Sequence, residues 1–478
     1  MSTKISHLLA ALVWLLPALA GAKALFVNNS GTPACSDSTS YAANDSSRPW
    51  CTIGRAAWGT VNPMTFNTSE AARAGDVVNI MGGTYVTPGR NTSGSSCRWT
   101  VALQSANSGT TGSPVTYRGI GTVNISLAAG YYGPTIGSSD GRNHIVWDNV
   151  RIDEQTAQGS SCRDTGPVVF NTCIGCKLLN STVRGTYRAW GDNYNAVRIE
   201  GARDITIANS ILSNITGNFG HNSAAIMSYD AESVLIEHNH IHSNVTGIYI
   251  KGDHAGDAWP QATHTVRHNR IANNSNKGIF VYAGLNHSIY QNLVVDSTQA
   301  IVVNVNAATT VNTRIVNNTI VATTPMSVGI SLEAGNPTGG LVHNNVIYGP
   351  FSESINLGLQ TPGGMTFEHN VYFGFGNWGS AGGSVIAFST WQGTYGRDRA
   401  SPAGIVTNPL FAETTTYKLQ AVSPARTRGI DILDLNGNSD SSDVIPAGAY
   451  VTGNEVIGPT TGGPAGGVLP APTNLRIN

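Results

Sequence analysis

Charge is scarce in this chain: only 12% of its 478 residues are Asp, Glu, Lys or Arg, and the formal net charge is -1. A general nucleic-acid-binding surface needs clustered Lys and Arg, so nucleic acid is not expected as a partner. Long apolar runs are missing after the first residues, and the one near the start, Leu8–Ala20, falls short of the roughly 20 residues a membrane span requires. No membrane anchor is expected. With Lys4 ahead of that run and small residues at Ala18, Ala20, Ala22 and Ala24 around its end, residues 1–24 have the form of a secretory signal, cleaved between about 20 and 24. The protein is therefore expected outside the cell or in a periplasm. Cysteine is also sparse: Cys35, Cys51, Cys97, Cys162, Cys173 and Cys176 all lie in the first 176 residues. An even number in an oxidising compartment predicts disulfides there. The single CxxC at Cys173 and Cys176, with no second pair and no nearby histidines, points to a structural bond rather than zinc or redox chemistry.

Helical periodicity and regular leucine spacing are absent too, which excludes helical and leucine-rich repeats. What is present is a short motif that recurs: an apolar or small residue, Asn, one variable residue, then usually Ile or Val. It reads ANSIL, HNHIH, HNRIA, QNLVV, NNTIV, NNVIY and HNVYF, with asparagines at 209, 239, 269, 292, 318, 345 and 370 and a looser copy at Asn180. The successive spacings are 29, 30, 30, 23, 26, 27 and 25 residues. That period, in segments rich in Val, Ile, Thr, Asn and Gly, predicts stacked coils of short strands. An inward Asn at one turn of each coil can satisfy backbone groups that the bend leaves unpaired. The composition stays even to about residue 457, so residues 25–457 are expected as one domain and 458–478, rich in Gly, Pro and Thr, as a tail or linker.

Between the asparagines runs a second register: AVRIEG, AIMSYD, GIYIKGD, GIFVYAG, AIVVNVN and GISLEAG. Its alternation places Val197, Ile199, Ile226, Ile248, Ile250, Ile279, Val281, Ile301, Val303, Ile330 and Leu332 inward. The residues between them are expected to face solvent: Arg198, Glu200, Met227, Tyr229, Tyr249, Lys251, Phe280, Tyr282, Val302, Asn304, Ser331 and Glu333.

These rungs, over roughly residues 140–375, resemble the right-handed parallel β-helix repeats of the pectate-lyase-like superfamily. PWCTIGRAA (Pro49–Ala57) followed by AGDVVNIMGGTYV (Ala74–Val86) resembles the N-terminal segment of many secreted members, where a short capping helix closes the coil. NPLF (Asn408–Phe411), YKLQAVSPARTRGID (Tyr417–Asp431) and Gly448–Tyr450 resemble their usual ending. The resemblance implies an all-β right-handed solenoid with polysaccharide bound across one outward sheet. It also implies catalytic groups on neighbouring rungs, a Lys or Arg base that removes the proton beside a uronate carboxylate, and calcium or a basic or amide side chain to stabilise the developing charge.

Lys251 is the one lysine in the outward column Glu200, Tyr229, Lys251, Tyr282, Asn304, Glu333, and it lies between tyrosines. An ammonium partly desolvated by aromatic rings has a lowered pKa, which suits a base. Arg198, Tyr229, Tyr282 and His254 are expected beside it as catalytic groups, and Tyr249, Asn304, Glu333, Trp259 and His221 as sugar-binding ones. Glu200, Asp230, Asp253 and Asp257 supply hard oxygens that could hold Ca²⁺. The residues thus point to a secreted, monomeric lyase acting on an acidic polysaccharide. Two alternatives stay open: a glycoside hydrolase using Asp230 and Asp253, and a non-catalytic glycan-binding or adhesive solenoid.

Overall fold

The computed structural model describes residues 21–93, 97–153, 165–185, 187–188, 193–217, 222–251, 262–303, 310–333, 337–358 and 364–460. They form a parallel solenoid in which each coil contributes a short strand to each of three faces. On the first face Leu235–Glu237, Thr265–Arg267, Ser288–Tyr290 and Arg314–Val316 stack in parallel register. The second carries His240–His242, Arg270–Ala272, Leu293–Val295 and Thr319–Val321. The third is built from Asn195–Glu200, Ala224–Tyr229, Thr246–Lys251, Lys277–Val281, Gln299–Val303 and Met326–Leu332. The predicted inward set is fully buried along this third face, from Val197 and Ile199 to Ile301 and Val303, so period-two alternation has assigned its two sides.

The asparagine ladder sits at the corner between the first two faces. Each amide oxygen accepts both the backbone N–H and the amide N–H of the Asn one coil earlier: Asn318 from Asn292 at 3.1 and 3.0 Å, Asn345 from Asn318 at 3.0 and 3.0 Å. Each amide nitrogen also reaches a carbonyl of the preceding coil, as Asn318 does to Ile289 at 2.9 Å. At the C-terminal end the buried Asp398 takes the position of the next Asn. It accepts from Asn370 N and Nδ2 at 3.0 Å, and from the Tyr372 hydroxyl and the Trp391 indole at 2.9 Å.

Asn180 and Asn209 are not members of this ladder. The pairing of Ile211 with His240 puts Ser210 opposite Asn239, and Ser181 lies opposite Ser210. Those serines continue the ladder with Oγ in place of the amide oxygen: Ser210 accepts from Ser181 N at 3.1 Å. Asn209 takes the preceding position, which has φ near +53° in Asn209, His238 and Asn317 alike. Short polar side chains tolerate that left-handed conformation best. This outer row binds the returning C-terminal segment: Asn317 donates to Pro446 O at 2.9 Å, His238 pairs with Val456 O at 3.0 Å, and Asn209 accepts from Thr460 N at 2.6 Å.

The N-terminal end is closed by the helix Ile53–Trp58, all of whose residues are buried. Thr52 caps it by accepting from Arg55 N, and Gly59 ends it at φ 73°. A Cβ on Gly59 would lie 2.0 Å from Asn67 O, so no other residue fits there. Cys35 and Cys51 are bonded, and Cys97 is also in a disulfide, whereas Cys173 and Cys176 are buried free thiols rather than the structural bond expected of the CxxC. Among the described residues no helix is long and apolar enough to cross a membrane.

Among the described residues two imidazoles, His264 and His287, have no exposed surface. His264 shares a 2.7 Å hydrogen bond with Ser228 Oγ, and its ring stands edge-on to His287 at 4.9 Å. Burial pushes His287 down from 6.5 to about 4 and His264 well below its ordinary value. Because the folded value lies below the unfolded one, both rings contribute full stability above about pH 6.5, and that contribution is lost as pH falls toward the folded value. His287 alone is expected to cost about 1.5 kcal/mol of stability between pH 6.5 and 5, and His264 adds to the loss in the same direction. Urea unfolding at pH 7 and pH 5 measures the loss, and equal midpoints at the two pH values would contradict the burial of both rings in neutral form.

Candidate active site

The outer side of the third face carries two columns of different accessibility. The central one, Arg198, Met227, Tyr249, Phe280, Val302 and Ser331, is in register but covered, with exposures from 0% to 4%. Tyr249 and Phe280 stack with ring centroids 4.5 Å apart. The expectation that these residues face solvent is therefore corrected: they face away from the core, yet Tyr249 has no surface to offer a sugar and Arg198 works only through its neighbours.

The second column runs along the edge of the face and is half-buried. Glu200, Tyr229 and Lys251 are direct register partners on three successive strands. Tyr282 continues them on the next, its N–H donating to Ile250 O at 2.9 Å. The Lys251 ammonium lies 3.3 Å from Asn222 Oδ1 and 5.9 and 5.7 Å from the ring centroids of Tyr229 and Tyr249. It is a half-buried cation held against aromatic faces at the end of its strand.

Glu200, expected as a metal ligand, is gripped by guanidiniums. Arg98 reaches its two oxygens at 2.7 and 2.6 Å, and Arg198 contributes Nε at 2.9 Å and a terminal nitrogen at 2.6 Å. Both oxygens are used by cations, which makes Glu200 an ion-pair partner. Asp230 follows Tyr229 at φ 48°, a turn position. Among the described residues no three His, Cys, Asp or Glu side chains gather as a metal site. Asp253, Asp257, His254, Trp259, His221 and Asn304 lie outside the described residues.

Glu333 stands at the far end of the face, accepting from Gln299 Nε2 at 3.2 Å and lying 3.8 Å from the Lys277 ammonium. Lys277 was not singled out by sequence. It has the parity of the inward Ile279, but it begins its strand at a turn, and its ammonium lies 5.0 Å from the Phe280 ring centroid on the outer side. Burial lowers its pKa while Glu333 opposes that shift. Arg98 and Trp99 were also missed. They lie outside every repeat and meet the face through contacts distant in sequence, such as the Arg98–Glu200 pair spanning 102 residues and the Trp99–Arg198 contact.

A model of the right-handed β-helix region matches residues 137–320 and, in a second overlapping match, 195–372. Over these residues the chain has the repeats of a right-handed parallel β-helix. Among solved structures this β-helix resembles the pectate lyase Pel9A, at 14% identity and a TM-score of 0.50, over 90% of this chain and 97% of that one. It also resembles the family 6 polysaccharide lyase Pedsa3628 of Pseudopedobacter saltans, at 13% identity and a TM-score of 0.41, over 72% and 92% of the two chains. At such identity the likeness establishes the β-helix fold and nothing finer. No curated protein sequence matches the chain.

Proposed function

We propose that this β-helix protein is a secreted polysaccharide lyase that cleaves a uronate-containing polymer by β-elimination, with Lys251 as the base. The observation that carries the reading is the half-buried edge column Glu200, Tyr229, Lys251, Tyr282, in register beside a covered column. Strand spacing of about 4.8 Å lets successive members touch successive parts of one bound chain. The Lys251 amine, as the free base, takes the proton from the carbon bearing the carboxylate. The electron pair forms a carbon–carbon double bond and expels the glycosidic oxygen, which Tyr229 or Tyr282 protonates. If Asp230, Asp253 and Asp257 hold calcium, the chemistry it supplies is neutralisation of the uronate carboxylate, and a chelator then lowers the rate.

Lys277 favours a second assignment of the base, because burial lowers its pKa in the direction a base at neutral pH requires. Its 7% exposure argues against direct contact with a polymer. Pectate, alginate and glycosaminoglycans incubated with the protein test the reaction class. Ultraviolet absorbance from an unsaturated uronate is expected. New reducing ends without that absorbance would favour the hydrolase with Asp230 and Asp253, and tight binding with no product would favour a glycan-binding solenoid.

A further inference from the structure

The second face carries two histidines on one strand, His240 and His242. They flank Ile241, which is 0% exposed and points inward, so alternation aims both imidazoles outward. Their ring centroids lie 4.4 Å apart with the planes 37° from parallel, and both residues are half-buried. Nδ1 of His242 is paired with Ser243 Oγ at 3.1 Å, which leaves its Nε2 for a ligand. Neither ring nitrogen of His240 has a hydrogen-bond partner among the described residues.

The pair sits where the returning C-terminal segment stops covering this face. One coil further on, Arg270, opposite His240, donates to Thr415 O at 2.8 Å, and Tyr417 joins the apolar cluster of Ala272, Leu293 and Val295. One coil back, Ile211, also opposite His240, is 37% exposed. The two rings therefore have covered surface on one side and solvent on the other.

We propose that His240 and His242 chelate one borderline divalent cation, Zn²⁺, Ni²⁺ or Cu²⁺, through one nitrogen of each imidazole. A tetrahedral Zn²⁺ with bonds of about 2.0–2.1 Å holds two ring nitrogens about 3.3 Å apart. Rings with centroids 4.4 Å apart reach that separation by small rotations about their side-chain bonds. Imidazole suits these metals, whereas Ca²⁺ takes oxygen ligands. The site thus differs in place and chemistry from the third face, and it stands whether or not that face is catalytic. Burial holds His240 at about 4, with the charges of His242 and Arg270 pushing the same way, and burial also lowers His242. Both rings are then neutral at neutral pH and offer lone pairs with no proton to displace. The Arg270 guanidinium opposes a second cation beside it, which limits the site to modest affinity. Water fills the remaining coordination positions on the solvent side.

Calorimetric titration of the tag-free full chain at neutral pH with the chlorides of Zn²⁺, Ni²⁺ and Cu²⁺ is expected to show a site that binds Cu²⁺ most tightly. His240→Ala and His242→Ala are each expected to weaken it about a hundredfold, the low end of what linking two donors adds. Ile211→His puts a third imidazole one strand spacing from His240 and is expected to tighten binding by about tenfold or more, a direction that a folding defect cannot imitate. Electron paramagnetic resonance of the Cu²⁺ complex should show coupling to two imidazole nitrogens in the unsubstituted chain and to fewer in each alanine variant. Thermal melts of the metal-free variants accompany the titrations. Affinity unchanged in both alanine variants, no tightening in Ile211→His, or no metal bound by the unsubstituted chain overturns the site.

Discussion

Lys251→Ala is expected to lower the elimination rate by about a thousandfold, the middle of the range a positioned general base supplies, while leaving thermal stability nearly unchanged. The two halves of this expectation have one structural origin. Lys251 ends its strand at the rim of the third face, half-buried, and its contacts include a long hydrogen bond to Asn222 and two aromatic neighbours. Its side chain lies outside the fully buried core, so the stability change should stay within about 1 kcal/mol, below the cost of a core truncation. Lys277→Ala makes the informative comparison. Its ammonium is enclosed between Phe280 and Glu333, so its removal should lower stability more and activity less. The reverse ranking of activities would transfer the role of base to Lys277.

Asn318→Ala is expected to destabilise the protein by about 3–5 kcal/mol. The change strips the acceptor from the backbone N of Asn292 and one of three acceptors from its Nδ2, and it removes a donor from Ile289 O, Val316 O and Asn345 Oδ1. Each buried polar group left without a partner costs about 1–3 kcal/mol, and Asn318 itself is 0% exposed, so water cannot replace the lost bonds. Asn318→Ser should cost clearly less. At the two coils where the ladder is continued by Ser210 and Ser181, one hydroxyl serves as both acceptor and donor: Ser210 takes Ser181 N and gives to Ala208 O at 2.9 Å. Urea-unfolding midpoints of the two variants check this order, and a loss below about 1 kcal/mol for Asn318→Ala would contradict a ladder that satisfies the corner.

The repeats made the solenoid legible because one coil of strands imposes the same polar requirement at the same corner each time. The fine register was less legible. ANSIL and HNHIH look alike, yet Asn209 and Asn239 stand one position apart in the coil, because both positions favour Asn for different reasons: one needs φ > 0 and the other needs an inward amide. Alternation identified the inward set on the third face and said nothing about what covers the outward one, so Tyr249 and Arg198 were expected at the surface although they are 1% and 4% exposed. It also hid Lys277, since period two holds within a strand and fails at the turn that starts it. Arg98 and Trp99 left no local signal at all. Their role depends on a non-repeating segment docking about a hundred residues away in sequence from Glu200, which no window along the chain contains.

The most direct test of the account is the mass of the products released from an acidic polysaccharide by the purified protein and by Lys251→Ala. Elimination by the unsubstituted protein predicts oligouronates lighter by one water than their hydrolytic counterparts, unsaturated at the new non-reducing end and nearly absent with the variant. Fully hydrated products, or unsaturated ones formed as fast by Lys251→Ala, would contradict it.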